Sequence, residues 1–390
     1  MGKYRALIRG AYGEGNFGDD LLMLASYWLL RQAYNADEIA FIFVSHPTAA
    51  ERRYVRRLIP EINIIRYEAE SAAELIVWGG GTQFYSFTDL QGSTPFYRKA
   101  IAGIANPRKS YNYFVRKFFG GKYNSNQRFA ALGVGVGPFV SGSPNETYSR
   151  DLFARMDFIA VRDDLSMKLC SSWNVKATLR SDLCFLPGDW WPGESCKAPA
   201  RPAGRSIGII VRDWPQERPG AAYGPAILKV AECLRKQGFN VRFITFQPDG
   251  DLEWNRILRN RSESVVGWNP ERQTITEFLS EVAEFDSLIS ARYHGAIFGA
   301  ILGKPVICID IEPKLRLVSE FLAGLLWPQP FDEEECLSLI RRVFGEYGNL
   351  RGATAEAVDH QRQLACTMVD EFLEFAGARR APQLEKEVAP

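Results

Sequence analysis

The chain has 390 residues, of which 46% are hydrophobic and 24% charged, with 47 Lys and Arg against 46 Asp and Glu. This length favours two domains, and the near-neutral charge excludes wholesale binding of nucleic acid. The seven cysteines form no CxxC pair, so we expect no metal site and no disulfide framework, in a cytoplasmic protein. The first apolar run is too short for a signal peptide, and no window is long enough to span a membrane.

Strand-like runs alternate with amphipathic helical patterns from the first residues onward. In the first half, the predicted strands are 4–9, 39–44, 74–78, 129–134 and 158–161. After a stretch rich in Pro, Gly and Ala, further strands are predicted at 206–211, 240–245, 285–289 and 305–309. This alternation is typical of parallel sheets with helices on both faces. We therefore predict an α/β protein with two Rossmann-like domains facing a central cleft.

The domain boundaries follow from the change in composition. We assign 1–188 to an N-terminal domain, 189–204 to a linker and 205–330 to a C-terminal domain. The helical pattern at 331–376 has no strand of its own and is a candidate to cross back to the N-terminal domain. The residues 377–390 have the composition of a frayed tail.

The segment 90–145 departs from the regular alternation. It contains no acidic residue, and its Lys and Arg residues are interleaved with Tyr and Phe. Such a segment suits an anionic glycan, a diphosphate or peripheral contact with an anionic membrane surface. An ordinary solvated excursion between two strands is the other interpretation.

Three glycine clusters follow predicted strands of the first domain. They read GAYGEGNFGDD (10–20), WGGGTQF (78–84) and GVGVGP (133–138). Glycines at one edge of a sheet allow a ligand to approach the backbone, so these turns predict the wall of a cleft. GEGNFG has the letters of the dinucleotide-binding pattern GxGxxG, but that pattern by itself is a weak signal. The alternative to a ligand-lining role is that these glycines only form turns and helix caps. The predicted cleft-lining residues are Gly13, Asn16, Asp20, Gly79, Gly80 and Gly81.

Cationic side chains follow three predicted strands of the second domain. Arg292 and His294, in SARYHG, precede a helix rich in small residues, Arg212 follows 206–211, and Lys314 follows 305–309. Ligands of open α/β sheets bind at the carboxyl ends of the strands, where helix starts favour anions. The pattern indicates an anion site. In the competing interpretation, His294 packs, Arg292 makes a surface pair, and Arg212 pairs with Asp213.

Taken in order, these motifs resemble those of the polysaccharide pyruvyl transferase family. The resemblance rests on GxxGxxNxGD (Gly10, Gly13, Asn16, Gly18, Asp19), the GGG, GVGVGP, VRDDLS at 161–166, and SARYHG with the following PVICID and Lys314. It implies a fold like that of the two-domain GT-B glycosyltransferases. It also implies phosphoenolpyruvate as donor substrate, with no cofactor, and a saccharide acceptor. With these substrates, 1–188 becomes the acceptor-side domain and 205–330 the donor-side domain. The donor-binding residues implied by the motifs are Arg212, Arg292, Tyr293, His294 and Lys314.

The residue types agree with pyruvate ketal formation. Arg side chains bind carboxylate and phosphate bidentately, and His294 is a candidate either to protonate the donor or to help phosphate leave. For the base that activates the sugar hydroxyl, Asp19 or Asp20 is the candidate, with helix capping as the alternative. The expected acceptor is a saccharide of a bacterial surface polysaccharide, still lipid-linked at the inner face of the cytoplasmic membrane.

Two other functions remain open from the sequence. One is a GT-B glycosyltransferase that uses a sugar nucleotide, because Glu312 and Glu320 have the spacing of a donor-binding glutamate pair. That pair normally precedes the Pro-Val strand, whereas here it follows Pro305, so we treat the match as chance. The other is a non-catalytic glycan-binding protein with the same fold.

Overall fold

The computed structural model describes residues 4–42, 49–65, 73–85, 126–188, 190–191, 204–213, 223–247 and 249–377. Most of the basic and aromatic segment 90–145, and with it the predicted membrane contact, lies outside the described residues. The same holds for most of the predicted linker and for the tail beyond residue 377.

Within the described residues, the first sheet consists of seven parallel strands flanked by helices. The strands are β1 (Tyr4–Arg9), β2 (Ile39–Ile42), β3 (Asn63–Ile65), β4 (Ala73–Phe84), β5 (Arg128–Val136), β6 (Phe158–Val161) and β7 (Thr178–Leu179), and the helices are α1 (Phe17–Arg31), α2 (Ala49–Leu58), α3 (Pro144–Phe153) and α4 (Asp164–Ser172). The order of the strands in the sheet is β3-β2-β1-β4-β5-β6-β7. Leu7, Ile76 and Val134 are fully buried, as expected where helices cover a parallel sheet.

The second sheet is parallel as well and, in the part of the chain that the structure describes, has six strands. These are β8 (Ser206–Ile210), β9 (Asn240–Thr245), β10 (Val265–Gly267), β11 (Ser287–Ser290), β12 (Val306–Ile309) and β13 (Leu325–Trp327), in the order β10-β9-β8-β11-β12-β13. The helices between them are α5 (Tyr223–Lys236), α6 (Leu252–Asn260), α7 (Ile275–Ala283), α8 (Tyr293–Ile301) and α9 (Pro313–Phe321). Two parallel sheets confirm the predicted α/β class with two Rossmann-like domains.

The C-terminal helical pattern forms two helices, α10 (Glu333–Gly345) and α11 (Tyr347–Ala376). The last turns of α11 are attached to the first sheet. Arg180 Nε donates to a carboxylate oxygen of Glu371 over 2.9 Å, and Arg128 Nη1 donates to the carbonyl of Phe375 over 2.8 Å. Among the described helices, none combines the length and the apolar character needed to cross a membrane.

By packing, the chain divides into two compact units, neither of them continuous in sequence. The first is made of residues within Met1–Gly13, Leu21–Leu186 and Leu364–Pro390. The second is made of residues within Glu14–Asp20 and Pro187–Gln363. The short segment 14–20, which includes the first turn of α1, therefore belongs to the second unit, although the sequence suggested that it was part of the first domain.

Each sheet has one point at which the strand order reverses. In the first sheet β1 lies beside β4, and in the second β8 lies beside β11, with Ile210 opposite Ser290. The loops that follow two such strands diverge to opposite faces of the sheet and leave a crevice, where ligands of α/β proteins bind. Residues 211–213, just after β8, and the start of α8 thus lie at the crevice of the second sheet.

The expectation of three glycine turns at the edge of the first sheet was wrong for two of them. Strand β4 continues through Gly79, Gly80 and Gly81 to Phe84, and most of GVGVGP lies inside β5. Gly80 and Gly81 have positive φ angles of 61° and 76°, close to a register irregularity between β4 and β5. Glycine is needed there for the backbone of a bulged strand.

Candidate functional site

Two arginines follow the two strands at the reversal point of the second sheet. Arg212 comes just after β8, and Arg292 follows β11 at the N-cap of α8. Because β8 and β11 are hydrogen-bonded neighbours, their carboxyl ends lie side by side. The sequence-based prediction that both arginines reach one edge of this sheet is therefore met by the strand order.

Arg212 belongs to an ion-pair cluster with one buried carboxylate. Its Nη1 donates to Glu312 Oε1 over 2.6 Å, and Lys314 Nζ lies 3.2 Å from the same oxygen. The Glu312 side chain is 1% exposed, whereas those of Arg212 and Lys314 are 27% and 22% exposed. Glu312 thus holds two cations side by side while both remain accessible to a ligand.

The backbone of Arg212 is fixed independently of its side chain. The Arg212 amide donates to the Tyr223 hydroxyl over 3.0 Å, and that hydroxyl donates to the Arg212 carbonyl over 2.7 Å. Trp254 Nε1 donates to the same carbonyl over 3.1 Å. Asp213, proposed above as a structural partner of Arg212, instead accepts backbone bonds from Glu253 and Trp254 at the start of α6.

Arg292 is buried and has its own carboxylate partner. Its Nη2 donates to Asp251 Oδ1 over 2.5 Å, and its Nε donates to the carbonyl of Val211 over 3.2 Å. Burial lowers the pKa of Arg292 below its ordinary value, and the nearby charge of Asp251 opposes that shift. A buried guanidinium held at two of its nitrogens is suited to orient a ligand.

His294 occupies the first turn of α8. Its ring is stacked on Phe298, with 5.9 Å between the ring centroids and 19° between the planes, and its other neighbour on the helix is Tyr293. Gly18 lies directly beside it, since a methyl group added at Gly18 would be 2.3 Å from His294 Nδ1. Tyr293, predicted to bind the donor, is 4% exposed and packs edge-on against the His294 ring.

The segment 14–20 is anchored in the second unit by an aromatic side chain. Phe17 contacts the rings of four residues at centroid distances between 4.6 and 5.3 Å: Phe246, Trp268, Phe278 and Phe298. Its amide donates to the carbonyl of Phe246 over 3.0 Å. Edge-to-face contacts of this kind, added to the burial of a phenyl group, explain why the segment packs with the second unit.

The two acidic residues that follow differ in their surroundings. Asp20 is fully buried and accepts a hydrogen bond of 2.9 Å from Trp268 Nε1, which indicates a structural role. Asp19 is half-buried. Burial raises the pKa of Asp19, while His294, Lys314, Arg292 and Arg212, in that order, act to lower it. Asp19 is therefore within electrostatic range of every predicted donor-binding cation.

The other residues predicted to line a cleft have packing roles in this structure. A methyl group at Gly79 would lie 2.1 Å from the Ser26 hydroxyl and 2.7 Å from the Tyr12 hydroxyl, and Gly80 faces Leu22. Gly79, Gly80 and Gly81 are all buried. The Asn16 side chain accepts a bond of 3.1 Å from the Gly18 amide, which closes a turn, and Gly13 has a φ of 88°.

The VRDDLS motif forms a buried polar cluster in the first unit. Arg162 Nη1 donates to Asp182 Oδ2 over 2.6 Å, and its Nη2 donates to the Thr82 hydroxyl over 2.7 Å. Asp163 caps α4 by accepting a bond of 2.8 Å from the Ser166 amide. The motif therefore ties the end of β6 to the segment after β7 and, across β5, to β4.

Sequence reasoning missed two carboxylates that organise the site. Asp251 carried no motif and is fully buried against Arg292, and Glu312 was considered only as half of a glutamate pair. Glu320, its supposed partner, is exposed on α9. The one usable signal for Glu312 was its position directly after β12, at the same sheet edge as Arg212.

Comparison with known proteins identifies relatives of the sequence and of the fold. The family model of the polysaccharide pyruvyl transferases matches residues 16–313. A search of curated proteins gives no significant match. Among solved structures, Anabaena HepE in complex with UDP-glucose superposes with a TM-score of 0.54 at 11% identity, over 96% of this chain and 99% of that one.

Two further solved structures are similar over nearly their whole length. A UDP-N-acetylglucosamine 2-epimerase has a TM-score of 0.55 at 12% identity, with 98% of each chain covered. Sucrose-phosphate synthase from Thermosynechococcus elongatus has a TM-score of 0.51 at 13% identity, over 96% of this chain and 100% of that one. At these identities the likeness shows a common GT-B fold and no more.

Proposed function

Since this chain belongs to the polysaccharide pyruvyl transferase family, we propose that it moves the enolpyruvyl group of phosphoenolpyruvate onto two hydroxyls of a saccharide, forming a pyruvate ketal. The acceptor is a saccharide of a bacterial surface polysaccharide, lipid-linked at the inner face of the cytoplasmic membrane. The observation that carries the proposal is that Arg212, Arg292 and His294 lie at the reversal point of one sheet, where Glu312 joins Lys314 to Arg212.

The donor supplies two anionic groups for these cations. Arg212 and Lys314, held 2.6 and 3.2 Å from a common carboxylate oxygen, present adjacent positive charges that suit a phosphate. Arg292 is buried and fixed by Asp251, as expected of a side chain that orients a carboxylate. Positive charge held in place before the donor binds stabilises the negative charge that develops on phosphate as it leaves.

Ketal formation needs a proton at the methylene carbon of the donor and a path for the departing phosphate. His294, at the start of α8 and beside Gly18, is suited to either step. The stack of its ring on Phe298 fixes the plane of the imidazole. Fixing the ring keeps a proton-transferring nitrogen at one position relative to a bound donor.

The test is incubation of the purified protein with phosphoenolpyruvate and a panel of saccharides, including lipid-linked ones. We expect phosphate release that depends on the acceptor, together with a mass gain of the glycan by one pyruvate ketal. The His294→Ala variant should keep its fold and lose turnover. Glycan binding with no phosphate release under any condition would instead identify a non-catalytic glycan-binding protein.

A glycosyltransferase using a sugar nucleotide is the competing function, because the GT-B fold serves such enzymes. Thermal stabilisation separates the two. A ligand that binds only the folded protein at a free concentration c raises the free energy of unfolding by RT ln(1 + c/Kd), and the melting temperature rises with it. We expect phosphoenolpyruvate to raise the melting temperature. A rise with UDP or another nucleoside diphosphate, and none with phosphoenolpyruvate, would favour the glycosyltransferase.

A further inference from the structure

Asp19 is held among the donor-binding side chains by the anchors on either side of it. Phe17 is fixed in the aromatic cluster of the second unit, and Asp20 is hydrogen-bonded to Trp268 over 2.9 Å. Between them, Gly18 is packed against the His294 ring. Asp19 therefore belongs to the same unit as the predicted donor site, and the residue is half-buried there.

The charges of this site disfavour an ionised Asp19 when the donor is bound. Glu312 pairs with both Arg212 and Lys314, and Asp251 pairs with Arg292. These three cations and two carboxylates sum to one positive charge. An ionised Asp19 would cancel it, and phosphoenolpyruvate brings a carboxylate and a phosphate of its own. Like charges at such close range disfavour ionisation of the weaker acid.

We propose that Asp19 is protonated in the donor complex and delivers its proton to the methylene carbon of phosphoenolpyruvate. This inference rests on the proposed function. The Asp19 O–H bond breaks as the C3–H bond forms from the alkene electron pair, which leaves an oxocarbenium centre at C2. The first sugar hydroxyl attacks C2, and its proton restores Asp19. The C2–O bond to phosphate then breaks, the second hydroxyl attacks, and its proton leaves with phosphate.

The electrostatic surroundings of Asp19 agree with this role. Burial raises its pKa, and the groups that oppose the rise are His294 on α8, Lys314 on α9, and Arg292 and Arg212 at the ends of β11 and β8. Its neighbour Asp20 faces Trp268. The two anionic groups of a bound donor offset the positive charge of Arg212, Arg292 and Lys314, which weakens their effect and raises the pKa further. Proton uptake by Asp19 is thereby coupled to donor binding.

Two roles were left open for His294, protonation of the donor and assistance to the departing phosphate, and the proposed role of Asp19 favours the second. With Asp19 protonating the methylene carbon, His294 is left to assist the departing phosphate. Asp19 was predicted from the sequence as the base for the acceptor, on the opposite domain. Its packing in the second unit favours a role on the donor instead.

Calorimetry of phosphoenolpyruvate binding tests the proposal directly. Titrations in buffers of different ionisation enthalpy report the number of protons taken up with the ligand. For the wild type and for Asp19→Glu we expect uptake of up to about one proton near neutral pH, and for Asp19→Asn almost none, with Kd changed less than about tenfold. Glu14→Gln, an exposed change in the same segment, is the control and should behave like the wild type.

Turnover gives the second measurement. We expect Asp19→Asn to lose on the order of 10²–10⁴-fold in kcat, as for other general acids. In the wild type, kcat/KM should fall as the pH rises through the pKa of Asp19. Uptake that persists in Asp19→Asn, or a wild-type rate that rises with pH in that range, would overturn the acid role while leaving pyruvyl transfer intact. Failure of the wild type to bind phosphoenolpyruvate would instead overturn the proposed function, and the role of Asp19 with it.

Discussion

Arg212 and Glu312 are joined by a 2.6 Å ion pair whose two ends differ in exposure, since the carboxylate is 1% exposed and the guanidinium 27%. The Glu312 carboxylate is thus buried, whereas the Arg212 guanidinium that it binds is partly exposed to solvent. The two residues follow β8 and β12, which are separated in the sheet by β11. The ion pair therefore connects the segments that follow the two strands on either side of β11, the strand that precedes Arg292.

Loss of this carboxylate should impair donor binding. We expect Glu312→Ala to lower kcat/KM for phosphoenolpyruvate by about 100-fold, because Arg212 and Lys314 lose their common anchor and repel each other. Glu312→Gln, which keeps an acceptor oxygen, should lose about tenfold. The matched control is Glu320→Gln, on the exposed side of α9. Steady-state kinetics with varied donor measure the effect, and full activity of Glu312→Ala would show that Glu312 does not position the cations.

The smallest change that should disturb His294 is a methyl group at Gly18. Alanine is favoured over glycine inside helices by up to about 1 kcal/mol, but here the added carbon would lie 2.3 Å from His294 Nδ1. We expect Gly18→Ala to stay folded and to lose about 10–100-fold in kcat/KM, because the imidazole must move. Gly348→Ala on α11 has no neighbour within 4 Å and is the control. Unchanged kinetics of Gly18→Ala would mean that the ring position is unimportant.

Removal of the Phe17 ring should destabilise the protein. Phe→Ala changes in packed cores cost about 3–5 kcal/mol, and Phe17 is fully buried among four aromatic rings. We expect Phe17→Ala to lower the thermal midpoint by several degrees, measured by circular dichroism. Tyr148→Ala, at a side chain that is 47% exposed, should change it little. Equal effects of the two variants would contradict the packing described for segment 14–20.

A buried lysine away from the site should make stability depend on pH. Lys304 donates to the carbonyls of Ala283 and Phe285, and burial lowers its pKa from 10.5 to about 8. Between these values the unfolded chain binds more protons than the folded one, so the free energy of unfolding rises with pH, by about 3 kcal/mol at most. Urea denaturation between pH 7.5 and 10 should show a steeper rise for the wild type than for Lys304→Met. Parallel curves would contradict the shifted pKa.

The main features of the fold were predictable because its central strands are apolar on both faces. Strands β1, β6 and β9 were predicted with the bounds that the structure shows, and the family was recognised from motifs that follow such strands. The short outer strands β3 and β13 were missed. Three residues in a row give too little periodicity to distinguish a strand from a loop.

The cations of the candidate site were predictable, but the carboxylates that hold them were not. Arg212 and Arg292 were found from the rule that ligands bind at the carboxyl ends of strands. Asp251, in the segment after β9, forms an ion pair with Arg292. The two residues are far apart in the sequence, so no local pattern predicts their contact. The placement of residues 14–20 likewise depends on contacts of Phe17 with residues beyond position 240.

The packing of Phe17 has a consequence for synthesis on the ribosome. Its aromatic partners begin at Phe246, so they are translated long after Phe17 has left the exit tunnel. At roughly 5–20 residues per second, the phenyl group waits on the order of ten seconds or more for its binding pocket to exist. During that time the Phe17 side chain of the nascent chain lacks the aromatic residues against which it packs in the folded protein. Expression of this protein should therefore benefit from chaperones that shield nascent chains.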